Sequence, residues 1–308
     1  MIRASRPFWT LCALLICSAV WLPACSGGGS AITAPLLWKV SGNGVEAYLF
    51  GTMHVADPRV TNLHPAMETA FQSVDAFYTE AGESGPEDSA KMASAAMLPE
   101  GMSLRKLLPT ELWQDLDAYL QLIGFGQAAD MDRYRPWFVG LQLAQIDAIP
   151  LQQGGLALDF ALTARAKAAG KEIGAIEIIE EQLAALTIGD LQDQIHMLEI
   201  TLEKLREEHA AGESSVEYML ELYIAGDTAG FWKFAMDDID LTDPVQQRAW
   251  TALTTVRNRT MVARIHEKLQ AAPERKFMFA FGSLHFVGPG SVVEGLRALG
   301  YEVTRVQP

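Results

Sequence analysis

Two stretches of this sequence end an apolar run in Gly-x-x-His: YLFGTMHVAD at residues 48–57 and FAFGSLHFVG at 279–288. Imidazole titrates near neutrality and ligates metals when uncharged, so His54 and His285 are candidates for proton transfer or ion binding. The glycine three residues ahead of each sharpens the turn and permits close backbone approach. Two carboxylates also close apolar runs, Glu80 at the end of AFYTE and Glu177 at the end of IGAIE. If these segments are parallel strands of one sheet, two imidazoles and one or two carboxylates converge outside the strands' carboxyl ends, where open α/β sheets collect ligands. That donor set suits Zn2+, Mn2+ or Co2+ and leaves positions for water and substrate. An ion held in this way brings the pKa of water toward neutrality and polarises a scissile carbonyl. A single Gly-x-x-His is a weak pattern; its recurrence at both ends of the chain carries the expectation.

The remaining chemistry-bearing residues have plainer readings. His64 precedes Pro65 and is expected to open a helix, His196 and His209 lie on a charged helical stretch, and His266 adjoins Glu267 and Lys268. Asp57 is close enough in sequence to orient His54 from behind. Glu180 and Glu181 are expected to start a helix, where negative charge complements the dipole. Arg257 and Asn258 fall inside a long helical pattern about 100° apart, so both need not face one site. The GPG at 288–290 reads as a tight loop, with an anion-binding turn as the alternative. No Gly-x-Ser-x-Gly elbow and no His-Glu-x-x-His occurs in the sequence, which argues against a common serine hydrolase or zincin.

Positioning these groups requires strands at both ends of the chain. LLWKVSGNGVEAYLF reads as a hairpin turning at Ser41-Gly42-Asn43-Gly44, residues that tolerate positive φ. HPAMETAFQSV, residues 64–74, has apolar residues at helical spacing, and DAFYTEAG, 75–82, follows as a strand. Strand, helix and strand make a βαβ unit with parallel pairing expected. The C-terminus repeats this grammar with KFMFAFG, a helix at 290–300 and a strand at 301–306. A helix over 158–170 feeds a strand at 171–177, and most of the intervening chain shows helical periodicity.

The net charge of −14 argues against a nucleic-acid partner. The first 25 residues read as a leader: Arg3 and Arg6, an apolar run FWTLCALLICSAVWL, then LPAC and the tether SGGGS. This resembles a bacterial lipoprotein signal, with Cys25 as the acylated residue; Cys12 and Cys17 lie within the leader, so no disulfide is expected afterwards. The expectation is a protein of the bacterial cell envelope, anchored by lipid and facing the periplasm. Ser26 carries no acidic retention signal, which favours the outer membrane.

YLFGTMHVAD, FYTEAG, LDFALTARAKAAGKEIGAIEIIEEQ, VRNRTMVARI and FAFGSLHFVGPGSVVEGLRALGYEVTRV occur in an order that resembles the TraB/GumN family, which includes the Tiki proteins and is distantly related to the erythromycin-esterase and ChaN-like folds. The likeness covers the chain from about Leu36 to Val306. It implies a mixed, largely parallel α/β sheet built from N- and C-terminal βαβ units, with a large helical insertion at approximately 100–272 in a domain spanning 36–308. It further implies a divalent-metal-dependent peptidase, Mn2+ or Co2+ favoured, in which His54, Glu80 and His285 bind the ion and Glu80 either ligates it or takes a proton. The same resemblance raises Arg257 as a residue that holds a carboxylate or stabilises an oxyanion, with Glu177, Asn258 and Asp57 as supporting candidates. The implied substrate is a peptide or protein. The alternatives are a non-catalytic envelope protein that binds a peptide, signal molecule or metal-containing ligand, and haem or iron binding through the ChaN-like kinship. Oligomeric state is left open.

Overall fold

The computed structural model describes residues 30–83, 85–146, 148–149, 155–237 and 239–307. The leader, Cys25 and the first part of the tether lie outside the described residues. The hairpin forms as its turn residues require: β1 (Leu37–Gly42) pairs antiparallel with β2 (Val45–Thr52), and Asn43 and Gly44 adopt φ of 55° and 80°. Positive φ at both central positions is the turn whose twist matches paired strands.

β3 (Ala76–Thr79), β4 (Glu172–Ala175), β5 (Lys276–Gly282) and β6 (Glu302–Arg305) complete a mixed sheet in the order β4-β3-β5-β2-β1-β6. β5 pairs parallel with both β2 and β3, and β3 pairs parallel with β4. Only β1 of these six runs against the rest, pairing antiparallel with β2 and β6. This is an α/β fold with a largely parallel sheet. One expectation is corrected: β2 and β3 share a direction but do not pair, because the C-terminal strand β5 lies between them. Strand direction follows from the crossover helix, whereas adjacency depends on which strand buries best at the centre. FMFAF, buried at every position, is that strand.

One hydrophobic cluster joins the sheet to helices on its two faces. Phe50, Phe77, Phe279 and Phe281 from the strands meet Met67 and Phe71, Leu158 and Leu162, Met219 and Tyr223, and Met261, Ile265 and Leu269. The first of these helices, Pro65–Ser73, starts where Pro65 occupies its first turn and His64 caps Ala66 N. Two further clusters form a helical layer of their own: Trp137, Leu141, Leu186 and Met197 in one, Leu104, Leu116, Val139 and Leu198 in the other. Between this layer and the sheet rim lies the cleft described below. Among the described residues no helix is long and apolar enough to cross a membrane.

The stretch 244–271, continuous by periodicity, is broken into three parts. Pro244–Trp250 is α-helical, Thr251–Val256 is a π-helical turn, and Arg257–Ala271 is α-helical again. A π turn adds a residue to the helical circuit and so re-aims everything after it.

Candidate active site

Because β4, β3, β5 and β2 are parallel neighbours, the residues just past their carboxyl ends stand along one rim in the order Glu177, Glu80, His285, His54. Four positions scattered through the sequence thus become contiguous. Gly282, at the end of β5, lies at their centre. A Cβ built there would meet Glu80 Oε1 at 3.4 Å, His54 Nε2 at 3.5 Å and His285 Cδ2 at 3.9 Å. Glycine therefore leaves a small cradle rimmed by two imidazoles and a carboxylate.

Each imidazole is oriented by an oxygen acceptor at its far nitrogen. Asn258 Nδ2 donates to Gly290 O at 2.9 Å, which turns Asn258 Oδ1 toward His285 Nδ1, 2.6 Å away. An amide oxygen only accepts, so His285 carries its proton on Nδ1 and presents the Nε2 lone pair. His54 Nδ1 lies 2.5 Å from Asp159 Oδ2, and Asp159 Oδ1 accepts a hydrogen bond from Thr52 Oγ1. His54 is thereby fixed in the same tautomer, with Nε2 toward the cradle. Backing an imidazole by a carboxylate or amide oxygen is how proteins orient metal-ligating histidines.

The carboxylates are organised by Arg257. Its Nε donates to Glu177 Oε1 at 2.8 Å, and one terminal nitrogen donates to Glu177 Oε2 and to Glu80 Oε2, both at 2.6 Å. The second oxygen of Glu80 accepts from Gly282 N at 2.7 Å. Burial works against the Glu80 anion, yet Arg257, both histidines and this backbone N–H hold its pKa down, at about 2. Burial also dominates at His285 and, with the Arg257 charge, lowers it to about 3, so the ring is neutral. His54 is equally buried, but the adjoining Asp159 carboxylate outweighs that and raises its pKa.

The sequence candidates fall out unevenly. His54, Glu80, His285, Arg257, Asn258 and Glu177 come together. Asp57 does not orient His54: its carboxylate caps the helix Pro58–Thr61 and pairs with Arg59, which in turn pairs with Glu217. Asp159 takes that place. It was missed because its helix, Leu158–Ala168, reads as ordinary amphipathic structure. The usable signal was a charged residue on the face that also carries Leu158, Leu162 and Ala166, all buried. Arg257 and Asn258 both point into the site despite their angular separation, since the first turn of their helix is enclosed between β3, β4 and the loop after β5. The π turn immediately precedes this pair. The GPG loop is satisfied internally, with Gly290 N donating to Glu294 Oε2 and Gly290 O taken by Asn258.

Two imidazole Nε2 atoms and an anionic carboxylate oxygen around a glycine cradle fit a divalent cation in donor chemistry and facing. Among the described residues no three His, Cys, Asp or Glu side chains are drawn into a closed ion-holding group as they stand. The oxygens of Glu80 accept from Arg257 and Gly282 N, and its Oε1 stands 3.8 Å from His285 Nε2. The rim opens into a cleft of about 650 Å3 lined by His54, Glu80 and Asp159 at one end and by side chains of the helical layer at the other.

Metalloprotease TIKI1 of Xenopus tropicalis is 29% identical over an alignment that takes in 87% of this chain and 60% of that protein. Metalloprotease TIKI2 of Danio rerio is 29% identical, with 85% and 58% covered, and Metalloprotease TIKI1 of Homo sapiens is 28% identical, with 87% and 61%. The chain thus spans about three fifths of the length of these curated relatives. No solved structure matches it. The model of the TraB/PrgY/gumN family matches residues 36–305, and the chain, carrying both Gly-x-x-His segments within that match, belongs to this family.

Proposed function

We propose that the protein is a metal-dependent peptidase, with a divalent cation bound by His54, His285 and Glu80 at the sheet rim. The observation that carries this reading is the facing of two correctly tautomerised Nε2 atoms and Glu80 Oε1 around Gly282. The metalloprotease names of the relatives support it. A bound cation supplies Lewis acidity, acidifying water and polarising a carbonyl.

The protein's own groups have separable tasks. Asn258 and Asp159 hold the imidazole rings and their tautomers. Glu80, held ionised by Arg257, the histidines and Gly282 N, is an acceptor at neutral pH that would ligate the ion or take a proton. Arg257 keeps Glu80 ionised and in place, and with Glu177 forms the rigid back wall of the site. The helical layer over the cleft limits water access and receives the substrate chain.

We extend the proposal to a lipid-anchored protein of the bacterial envelope, attached through Cys25, on the strength of the leader residues alone. Metal-free protein loaded with Mn2+, Co2+ or Zn2+ and incubated with a peptide library tests the activity. Products that chelator suppresses support it. Retained but uncleaved peptides would favour a non-catalytic binding protein instead. Labelling with radioactive palmitate, lost in Cys25→Ala, tests the anchor.

A further inference from the structure

The cleft that opens from the rim is built for a particular kind of chain. Its far wall is apolar, with Met92, Phe138, Ile146 and Leu186 facing Phe160 from the helix that carries Asp159. Phe160 and Ile149 are 40% and 49% exposed, large apolar surface left open to solvent beside the site. A second depression of about 460 Å3 shares Phe125, Ile146 and Ile149 with the first and continues the apolar floor past Leu122, itself 64% exposed. Contiguous exposed apolar surface of this kind marks a binding face.

Carboxylates outnumber basic groups along the trough. The cleft is lined by Glu80, Asp88 and Asp159 with His54, and its continuation by Glu208 and Glu213 with His209; among the described residues neither lining contains Lys or Arg. Lys91 is committed to Glu87 and Glu180, and Arg257, behind the rim, offsets Glu80 and Glu177 but leaves Asp88 without a cation from this set. Gln142 contributes an amide, a group suited to a peptide backbone, beside Gln182, whose amide donates to Glu177.

We infer that the trough selects extended polypeptide segments carrying aliphatic or aromatic side chains and rejects segments carrying Asp or Glu. The inference deepens the peptidase reading and shares its site. Apolar side chains gain burial against the Met92–Phe138–Phe160 surface, whereas a carboxylate would enter a low-dielectric channel already lined by like charge.

The test measures binding separately from turnover. Two fluorescently labelled nonapeptides, one with three Leu or Phe positions on a Ser/Gln background and one with Glu at those positions, are titrated into metal-free protein by anisotropy. The apolar peptide is expected to bind at least about tenfold more tightly. Phe160→Glu should weaken it by about tenfold, and Gln142→Lys should narrow the discrimination against the Glu peptide, each checked for native circular dichroism. Equal affinities, binding of neither peptide, or no response to either substitution overturns the inference. Selective binding without cleavage after metal loading leaves it standing and overturns the peptidase reading. Cleavage without selectivity does the reverse.

Discussion

Replacing Arg257 with Met removes the cation that three hydrogen bonds of 2.6–2.8 Å tie to Glu80 and Glu177. The side chains of these carboxylates are 6% and 1% exposed, so neither can turn to water for compensation. Breaking a buried ion pair from one side costs about 3–5 kcal/mol. Two carboxylates lose their partner at once here, which places the expected loss near the top of that range. Out of a typical ~5–15 kcal/mol this is severe but survivable. The sign of the pH dependence is specific. In the native protein the Glu80 pKa is depressed to about 2, so its contribution is present above the ordinary value of 4.5 and is lost as pH falls through the folded value. Without the guanidinium, burial dominates and raises the Glu80 pKa, so folding of the variant takes up a proton. The deficit is therefore largest at pH 8 and narrows toward pH 5. Urea unfolding followed by tryptophan fluorescence should give a midpoint lowered by about 1–2 M at pH 8. Adding Glu177→Gln to the variant should recover part of the loss. A deficit under about 1 kcal/mol, or one equal at pH 5 and pH 8, would refute the buried-triad reasoning.

Further predictions address the ion and its ligands. His54→Ala with His285→Ala should abolish divalent-cation binding with the circular dichroism spectrum preserved; unchanged metal stoichiometry by elemental analysis rejects the site. Gly282→Ala should fold with stability within ~0.5 kcal/mol, since its φ of −52° and contacts of 3.4–3.9 Å tolerate a methyl, while calorimetric metal affinity falls at least about tenfold because the cradle is filled. Asp159→Asn should weaken metal binding by about 10–100-fold at pH 8. In the native protein, affinity should be level at alkaline pH and decline about tenfold per pH unit below the raised pKa of His54, because His285, near 3, stays neutral throughout. A decline that begins at the same pH in Asp159→Asn would contradict the proposed coupling.

Much of the sheet was legible because strands announce themselves locally. The hairpin turn is written in Asn43-Gly44, and the burial of β5 on both faces in its unbroken apolar run. That β5 sits between β2 and β3 was not legible, since no local pattern encodes which strands are neighbours. The converging histidines and glutamates could be guessed from Gly-x-x-His and from acids closing strands. Asp159 could not be found by that rule, because it enters from a helix rather than from a strand end. Its partner Thr52 is likewise silent, a threonine at the end of β2 being commonplace. Arg257 and Asn258 were visible only as members of a motif; helical geometry alone predicts that they diverge, and the enclosure of the helix's first turn is a tertiary fact.

The position of β5 also dictates when the rim of the site can assemble. Ser283 Oγ bonds to Thr52 O, 231 positions away in sequence, and β5 supplies the pairing edge for both β2 and β3. Until residues 276–282 have emerged during synthesis, those two strands have no common partner and the histidines no shared pocket. Loop closure over such a span makes this late step slow, favouring a folding mechanism in which the helical layer consolidates first. A ribosome-bound or truncated chain ending before β5 would lack His285 and the edge on which β2 and β3 meet, so the rim of the site assembles only after residues 276–285 are available.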